Sequence, residues 1–447
     1  MYKRQDFTQV QWLTTAFLLT NGVIIPLSAM VIQRFSTRQL FLFAIFIFFI
    51  GTLIGGFSPN FTVLLLARIV QAMGSGIMMP LMMTTILDIF DPDERGKYMG
   101  MFGLVISLAP AIGPTLSGYL VEYINWRALF HVVAPIAALT FLASFIFVKN
   151  VGVNKKEPID LISVVLSVLG FGSLLYGTSS ITRDGWNDPI VLITIIGGVI
   201  LITLFVIRQT RLTSPLLDFS VFKNGQFSIG LIVMSLVMIS LIGSETILPM
   251  FVQTIMGESA LNSGLILLPG AIVMGFMSVI SGFLFDRYGA KILAIIGMFV
   301  VVVTTSYFIF MGKDTSTTVL TTVYAILMIG LALGLMPLMT HTMNQLTPEM
   351  NAHGSSMVNT AQQISASIGT AILITIMSHA TRTFTPTMSD YEGMSKQVMT
   401  AQIKQDALIN GYHAAFWFTV IIAIVGFACV FMLYNKKKAD KTFKVYG

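Results

Sequence analysis

Glu245 is a charged side chain inside a stretch of sequence that is otherwise apolar, residues 243–252. An acid inside a membrane span is expensive to bury and is therefore a candidate for handling ions or protons. We interpret Glu245 as a group that loads and releases a proton. The alternative is an acid near the outer mouth of the protein that stays in contact with water.

Arg68 is a second charge of this kind, within the apolar segment 61–74. A cation at the centre of a span costs about 2.5–3.5 kcal/mol on insertion scales, so Arg68 must face a cavity or a partner. The alternative is that its long side chain reaches the outer interface, about two helical turns away.

Residues 282–291 combine glycines and charges at the junction of two apolar runs. Gly282 would let two helices approach closely. Asp286 could lie against the positive N-terminus of the next helix, while Arg287 and Lys291 face the cytoplasm on either side of Gly289. These five residues predict a conformational latch, which holds one state and releases another. A solvated turn would explain the basic residues but not the Gly–Asp–Gly spacing.

Residues 109–118 place two prolines and several small residues in one apolar run. Pro110 and Pro114 each remove a backbone donor and bend a helix. Gly113 and Gly118, together with Ser117, offer a thin face for close packing. The segment therefore predicts a kinked packing helix.

A late apolar run begins with polar residues. Asn359, Gln362 and Gln363 could hydrogen-bond a ligand, although polar contacts between helices are an equal alternative. The five histidines are scattered without metal-ligand spacing, and no P-loop, GxSxG or HExxH motif is present. We therefore expect no metal, no cofactor, no ATP drive and no enzymatic reaction.

The chain that positions these residues has the composition of a membrane protein. Of its 447 residues, 55% are hydrophobic and 10% are charged, whereas soluble domains average about 25% charged residues. Backbone groups in lipid must pair internally, and continuous apolar runs indicate helices rather than barrel strands. We predict an all-α integral membrane protein. Its expected thirteen spans are 10–31, 40–57, 61–87, 97–120, 126–148, 160–180, 188–208, 227–252, 261–284, 290–311, 317–345, 354–378 and 412–434.

Lysine and arginine are distributed unequally between alternate loops. Seventeen lie in one set of loops and the C-terminal tail, and eight lie in the opposite set. Cytoplasmic loops carry the excess of basic residues, so the C-terminus is predicted to be cytoplasmic. The same rule explains the net charge of +6, and no nucleic-acid partner is expected.

The chain also contains an internal repeat. The loop 34–40 resembles the loop 287–293 about 253 residues later, and such repeats are typical of transporters built from two halves. We predict an N-terminal bundle at 1–150, a two-helix insert with cytoplasmic linkers at 151–222, and a C-terminal bundle at 223–447. The span at 227–252 has no counterpart in the first half, so we infer that a first helix is missing before residue 1. Thirteen native spans are the alternative.

The latch segment 282–291 resembles the GxLaDrxGrk loop signature of the major facilitator superfamily. The first-half copy has Ala29, Gln33 and Ser36 where the signature has glycine, aspartate and glycine. Arg68 matches the intramembrane arginine motif of the same superfamily. This resemblance implies that Arg68 tunes a nearby carboxylate and takes part in proton transfer.

Further segments narrow the resemblance to the fourteen-span drug:proton antiporter branch. Residues 109–118 are similar to the antiporter motif, which implies a hinge and seal between the halves formed by Pro110, Gly113, Pro114 and Gly118. Residues 11–17, 253–269 and 354–371 also resemble this branch, so the likeness extends over essentially the whole chain.

The resemblance implies two pseudo-symmetric helical bundles with two inserted helices, in which the helices of Arg68 and Glu245 line one central cavity. It implies export of amphipathic, often cationic compounds in exchange for protons, by alternating access across the bacterial cytoplasmic membrane. The expected partners are small substrates, protons and lipid, and the chain is expected to be able to act as a monomer. Export of an endogenous metabolite, lipid or peptide is the first alternative, and a truncated non-transporting membrane protein is the second.

Overall fold

The computed structural model describes residues 7–151, 160–386 and 395–434, and within them every side chain except those at 7–11, 110, 111, 114, 115, 122, 182 and 396. The long elements in these ranges are all α-helices, and no strand occurs there. The helices are α1 (Phe7–Arg34), α2 (Thr37–Gly56), α3 (Phe61–Ile89), α4 (Arg95–Tyr123), α5 (Ala128–Phe147), α6 (Leu161–Asp184), α7 (Pro189–Gln209), α8 (Gly225–Thr254), α9 (Ala260–Tyr288), α10 (Ala290–Phe308), α11 (Thr317–Met343), α12 (Asn351–Arg382) and α13 (Lys396–Val430).

Each helix coincides with one of the predicted spans, so the all-α prediction is confirmed. Among the described residues, twelve helices, all except α4, are long and apolar enough to cross a membrane. Helices α12 and α13 extend beyond the predicted spans, because a helix pairs its own backbone groups and can continue past the apolar run.

Short polar residues determine where several helices begin. The Ser36 hydroxyl accepts from the backbone N–H of Gln39, and the Gln39 side chain accepts from the backbone N–H of Ser36, which forms a capping box at α2. Asn60 and Asn224 are simple N-caps of α3 and α8, in which the side-chain oxygen accepts from backbone N–H groups of the first turn. Gly289 joins α9 to α10 with a φ of +80°, a conformation that favours glycine.

The helices form two groups joined by two long contacts. Helices α1, α2, α3 and α5 pack together and, with α4, which contacts α3 and α5 less extensively, form the first group. Helices α8 to α13 form the second group. The groups meet where α4 packs against α9 and where α1 packs against α12. This arrangement agrees with the predicted fold of two helical bundles. We call the end of the bundle at which α9 ends the latch end, and the end at which α9 begins the far end.

Small residues allow α4 and α9 to pack backbone against backbone. A Cβ built at Gly282 would lie 2.2 Å from the carbonyl oxygen of Gly96 and 3.0 Å from Cα of Gly100. A Cβ at Gly100 would lie 2.6 Å from the carbonyl oxygen of Ser278. No side chain fits between the two helices at these levels, so glycine is required for the contact.

The hairpin of α6 and α7 contacts both groups through α6. The Thr178 and Ser367 hydroxyls lie 2.7 Å apart and join α6 to α12. Leu175 lies over Gly22 of α1, where a Cβ would be 2.0 Å from its Cδ1. Helix α6 therefore covers the seam between α1 and α12.

A charged pair closes the base of this hairpin at the latch end. Arg208 Nε donates to Asp160 Oδ2 at 2.6 Å, and the guanidinium holds the pKa of that carboxyl well below its usual range. Both side chains are partly exposed, so solvent screens the pair and it contributes little to stability. Gln209 extends the network, because it donates to Ser163 and accepts from the backbone N–H of Leu217.

Candidate functional site

Glu245 lines a cavity of about 490 Å³ between the two groups of helices. The walls come from α8, α9 and α11 on one side and from α4 on the other. Glu245 lies nine residues before the end of α8, which places it about 13 Å below the far end of that helix. The carboxylate is thus held at membrane depth by α8, the helix formed by the apolar run around Glu245.

The remaining polar groups of this cavity are few. Gln253 and Ser117 contribute an amide and a hydroxyl to its wall. Ser263 is 1% exposed, and its Oγ has no hydrogen-bond partner among the described residues. Tyr324 is 4% exposed and completes the wall on the side of α11. One acid surrounded by apolar side chains and a few hydroxyls can hold a proton or the charged group of a cation.

Arg68 lies in a different cavity, of about 670 Å³, lined by α1, α2, α3, α5 and adjoining turns. Its guanidinium donates to Gln71 Oε1 at 2.9 Å and stacks on the Phe17 ring at 4.3 Å. Gln71 Nε2 in turn donates to the Thr52 hydroxyl at 2.8 Å. In the part of the chain that the structure describes, no carboxylate lies within 4.0 Å of Arg68.

The expectation that Arg68 and Glu245 line one central cavity is therefore not met in this conformation. The two cavities share no lining residue. The physical reason is that α3 packs with α1 and α2, whereas α4 is the helix that reaches α9 and faces Glu245. Ser117, Gly118 and Val121 of α4 line the Glu245 cavity instead of residues from α3.

Asp286 of the predicted latch contacts a helix other than the expected one. The sequence suggested the N-terminus of the next helix, α10, but the backbone N–H of Lys97 at the start of α4 donates to Asp286 Oδ2 at 3.1 Å. The start of α10 carries no side-chain cap. The reason is the close contact at Gly96 and Gly282, which brings the first turn of α4 directly against the last turns of α9.

The other latch residues have separate roles. Arg287 stacks on the neighbouring Tyr288 ring at 5.3 Å. Lys291 Nζ donates to the carbonyl oxygen of Phe431 at 2.8 Å, which ties the start of α10 to the end of α13. The five residues are thus close in sequence, but only Gly282 and Asp286 contact the opposite group of helices.

The first-half copy of the latch makes an equivalent contact with different chemistry. Gln33, which replaces the aspartate of the signature, lies 2.8 Å from Nε2 of His353 near the start of α12. The other ring nitrogen of His353 accepts from the backbone N–H of Asp218. A neutral amide–imidazole contact therefore stands where the second half has an acid at a helix N-terminus. Neither residue was a candidate from the sequence.

Further hydrogen bonds join the two groups at the latch end. Each bond links one residue of α1, α3 or α4 with one residue at the end of α11 or near the start of α12. They are Ser28–Ser356 (2.9 Å), Thr84–Ser355 (2.7 Å), Asp88–Asn351 (2.9 Å) and Arg95–Asn344 (2.9 Å). The latch end is therefore closed, and the Glu245 cavity lies toward the opposite end.

The antiporter segment of α4 does not pack as closely as its composition suggested. A Cβ at Gly113 would meet nothing within 4 Å, and one at Gly118 would lie 3.8 Å from the nearest atom, in Leu261. The side chains of Pro110 and Pro114 lie outside the described residues. Close packing occurs instead at the other end of α4, because its glycines face the backbone of α9 there. Gly118 lines the Glu245 cavity.

The polar residues Asn359, Gln362 and Gln363 lie in the first half of α12. Asn359 is 8% exposed, and its amide donates to the carbonyl oxygen of Ser355 at 2.8 Å and lies 3.7 Å from the sulfur of Met83. Gln363 lies beside Gly22 of α1. The Ser355 carbonyl belongs to the same helix as Asn359, so the contact of Asn359 with another helix is the one with the Met83 sulfur of α3. Gln362 is half-buried. Within the described ranges, no cluster of three or more His, Cys, Asp or Glu side chains could hold a metal ion.

Replacing Asp286 with asparagine is expected to loosen the latch end. The neutral amide loses the charge–dipole attraction to α4, which is worth about 0.3–1 kcal/mol. The equilibrium constant for closure of the latch end should therefore fall by about twofold to fivefold. The measurement uses a cysteine at position 355, where the Ser355 side chain is fully buried, in a Cys429→Ser background. This cysteine should react faster with a membrane-impermeant thiol reagent when Asp286→Asn is also present than when Asp286 is retained. Asp314→Asn, in an exposed turn at the far end, is the control. Equal labelling rates in both variants would contradict a latch role.

Comparisons with known proteins agree with this architecture. The family described as Major Facilitator Superfamily matches residues 3–370. An uncharacterized MFS-type transporter of Bacillus subtilis, YcnB, is 45% identical over 96% of this chain and 88% of its own length. The lincomycin resistance protein LmrB of Listeria monocytogenes is 39% identical over 96% of this chain and 89% of its own length. The human organic anion transporter MFSD10 has a similar fold, with a TM-score of 0.64 at 13% identity, over 94% of this chain and 83% of that one.

Proposed function

Because the chain belongs to the Major Facilitator Superfamily, we propose that it exports small amphipathic compounds, many of them cationic, in exchange for protons. The superfamily and the relatives described above are membrane transporters rather than enzymes. The chain is accordingly a multi-pass transporter of a bacterial membrane. The proposal has three further parts: the chain exchanges drugs for protons, it lies in the cytoplasmic membrane, and its C-terminus is cytoplasmic.

The observation that carries this proposal is the position of Glu245. It is a carboxylate at membrane depth, in a cavity bounded by both groups of helices. A group in this position can bind a proton in one state and a cationic substrate in the other. Exchange of the two at one carboxylate would couple their movements in opposite directions. Arg68 is held by Gln71 in this conformation, so we assign the proton to Glu245 alone.

The relatives support a drug as the substrate. A protein 39% identical over nearly the whole chain is named for lincomycin resistance, and we propose that lincosamides are among the compounds exported here. The hairpin α6–α7 between the two groups supports the fourteen-span antiporter branch. On this proposal the functional units are the bundle 1–150, the insert 151–222 and the bundle 223–447.

The closed latch end supports transport by alternating access. In this conformation hydrogen bonds join the groups at the end that we assign to the cytoplasm, while the Glu245 cavity lies nearer the outer end. Protonation of Glu245 from outside, followed by opening at the latch end, would complete half of a cycle. The half-buried stretch of α12 that contains Gln362 and Gln363 would then line the path of the substrate.

Export is tested in bacterial cells that express the chain and are preloaded with a fluorescent cationic dye. We expect dye efflux on energisation, arrest of efflux by a protonophore, and slower efflux with lincomycin as competitor. Efflux no faster than in cells with an empty vector would contradict transport of these compounds. Efflux that continues unchanged with the protonophore would contradict proton coupling.

A further inference from the structure

A separate polar pocket lies at the far end of the bundle, between the turn that joins α6 to α7 and the last turns of α12. Its volume is about 460 Å³, which is within the range of small-ligand sites. Its polar lining includes Arg183, Asp184, Ser378, His379 and Arg382. It shares no residue with the Glu245 cavity or the Arg68 cavity, so transport as proposed above does not account for it.

The pocket has a fixed wall. Trp186 Nε1 donates to the Thr375 hydroxyl at 2.8 Å, which attaches the α6–α7 turn to α12. Beneath this contact, Ile181, Val191 and Ala371 form a buried apolar cluster from α6, α7 and α12. The pocket is therefore bounded by packed helices rather than by a free loop.

The charge of the pocket favours an anion. Arg183 and Asp184 form a salt bridge at 2.6 Å, and the guanidinium holds the pKa of the Asp184 carboxyl below its ordinary value, so this pair stays ionised and neutral overall. Arg382 is exposed, and among the described residues no carboxylate lies within 4.0 Å of it. Within the described lining of the pocket, its guanidinium is therefore the cation without an acidic partner, with His379 one turn away and the Ser378 hydroxyl as a further donor.

The pocket also lies where the protein meets lipid. Helix α7 begins at Pro189, directly after the turn, and its first residues Ile190 and Ile193 expose 61% and 69% of their surface. Exposed isoleucines on a spanning helix face acyl chains. Trp186 is 43% exposed, and indole rings prefer the boundary between water and hydrocarbon. A basic pocket at this level, above an apolar helix face, has the two-part chemistry of a phospholipid.

We propose that this pocket binds the phosphate-bearing headgroup of an anionic phospholipid. Arg382 and Ser378 donate to the phosphate oxygens, and the acyl chains lie along the exposed face of α7. The bound lipid would hold the insert hairpin against α12. Free inorganic phosphate shares the anionic chemistry of the headgroup, but it would gain nothing from the apolar face of α7.

The proposal is tested by lipid retention. The full chain is purified in detergent, equilibrated with equal amounts of phosphatidylglycerol and phosphatidylcholine, and analysed by native mass spectrometry. We expect the wild type to retain phosphatidylglycerol preferentially, and Arg382→Gln to weaken this preference about fivefold, the effect of one basic residue at an anionic membrane surface. Arg382→Lys should keep most of the preference. Lys313→Gln, which removes an exposed cation elsewhere at the far end, should leave it unchanged.

Three results would overturn the proposal. The first is equal retention of the two lipids by the wild type, and the second is the same preference in the wild type and Arg382→Gln. The third is displacement of phosphatidylglycerol by millimolar inorganic phosphate, which would identify the ligand as a soluble anion. Ser378→Ala is measured in parallel, because it keeps every charge and removes one donor. If Arg382→Gln does not fold, unchanged retention by Ser378→Ala would itself contradict the proposed contact.

Discussion

Replacing Glu245 with glutamine is expected to leave the protein folded and to abolish the coupling between substrate and proton. Glutamine has nearly the same shape and fills the same place in the cavity between α4 and α8. It cannot ionise, so it can neither release a proton nor balance the charge of a cation. Substrate-driven proton movement in vesicles should fall to the level of vesicles without protein. Glu245→Asp should retain part of the activity.

Glu258 provides a matched control for this variant. It is an acid in the turn before α9, where it accepts a hydrogen bond from Asn262 at 2.9 Å and does not line the cavity. Glu258→Gln should therefore transport and exchange protons as the wild type does. If Glu245→Gln also behaves like the wild type, Glu245 is a water-exposed acid without a coupling role, and the proposed mechanism is wrong.

Replacing Gly282 with valine should have the largest effect on stability. A Cβ there would meet the carbonyl oxygen of Gly96 at 2.2 Å and Cα of Gly100 at 3.0 Å. These are backbone atoms, so α4 and α9 must separate along their length. Overpacking of this kind costs about 1–3 kcal/mol or more, and separation of the helices would also remove the contact of Asp286 with α4. The melting temperature in detergent should fall by several degrees.

The control for this variant is Gly197→Val in α7. Position 197 is also a glycine inside a membrane helix, but a Cβ there meets nothing within 4 Å. Its melting temperature should stay close to that of the wild type. Gly113→Ala, in the antiporter segment, should resemble this control for the same reason. A Gly282→Val protein as stable as Gly197→Val would show that α4 and α9 do not pack as described.

The positions of the helices could be predicted because hydropathy is a local property. An apolar run of sufficient length must form a helix in lipid wherever it packs, so each of the thirteen helices among the described residues overlaps a predicted span, although α13 begins earlier than predicted. Glu245 and Arg68 were found for the same reason, since a charge in an apolar run is visible without knowledge of neighbours. The sequence also indicated the importance of Gly282 and Asp286 through their spacing.

The partners of these residues could not be predicted, because they come from distant parts of the chain. Asp286 binds the start of α4, about 190 residues earlier, whereas local reasoning offered only the adjacent helix. Gln33 looked like the loss of a latch residue, and His353 like one of several scattered histidines, until the fold placed them 2.8 Å apart. Serine and threonine pairs such as Thr84 and Ser355 have no recognisable pattern in an apolar helix.

The separation of Arg68 from Glu245 is a further result of packing. Both charges lie toward the far end of the bundle, and the family resemblance implied that their helices line one cavity. In the structure α4, rather than α3, forms the wall opposite Glu245. Arg68 is instead satisfied within its own group by Gln71 and Phe17.

The most direct test of drug:proton antiport is a measurement of proton flux in vesicles that contain the purified chain and a pH-sensitive dye. Addition of a cationic substrate or lincomycin in the absence of any other gradient should move protons in the direction opposite to the substrate. The flux should be absent in Glu245→Gln vesicles and present in Glu258→Gln vesicles. Substrate movement without any proton flux, or equal flux in the two variants, would contradict the account.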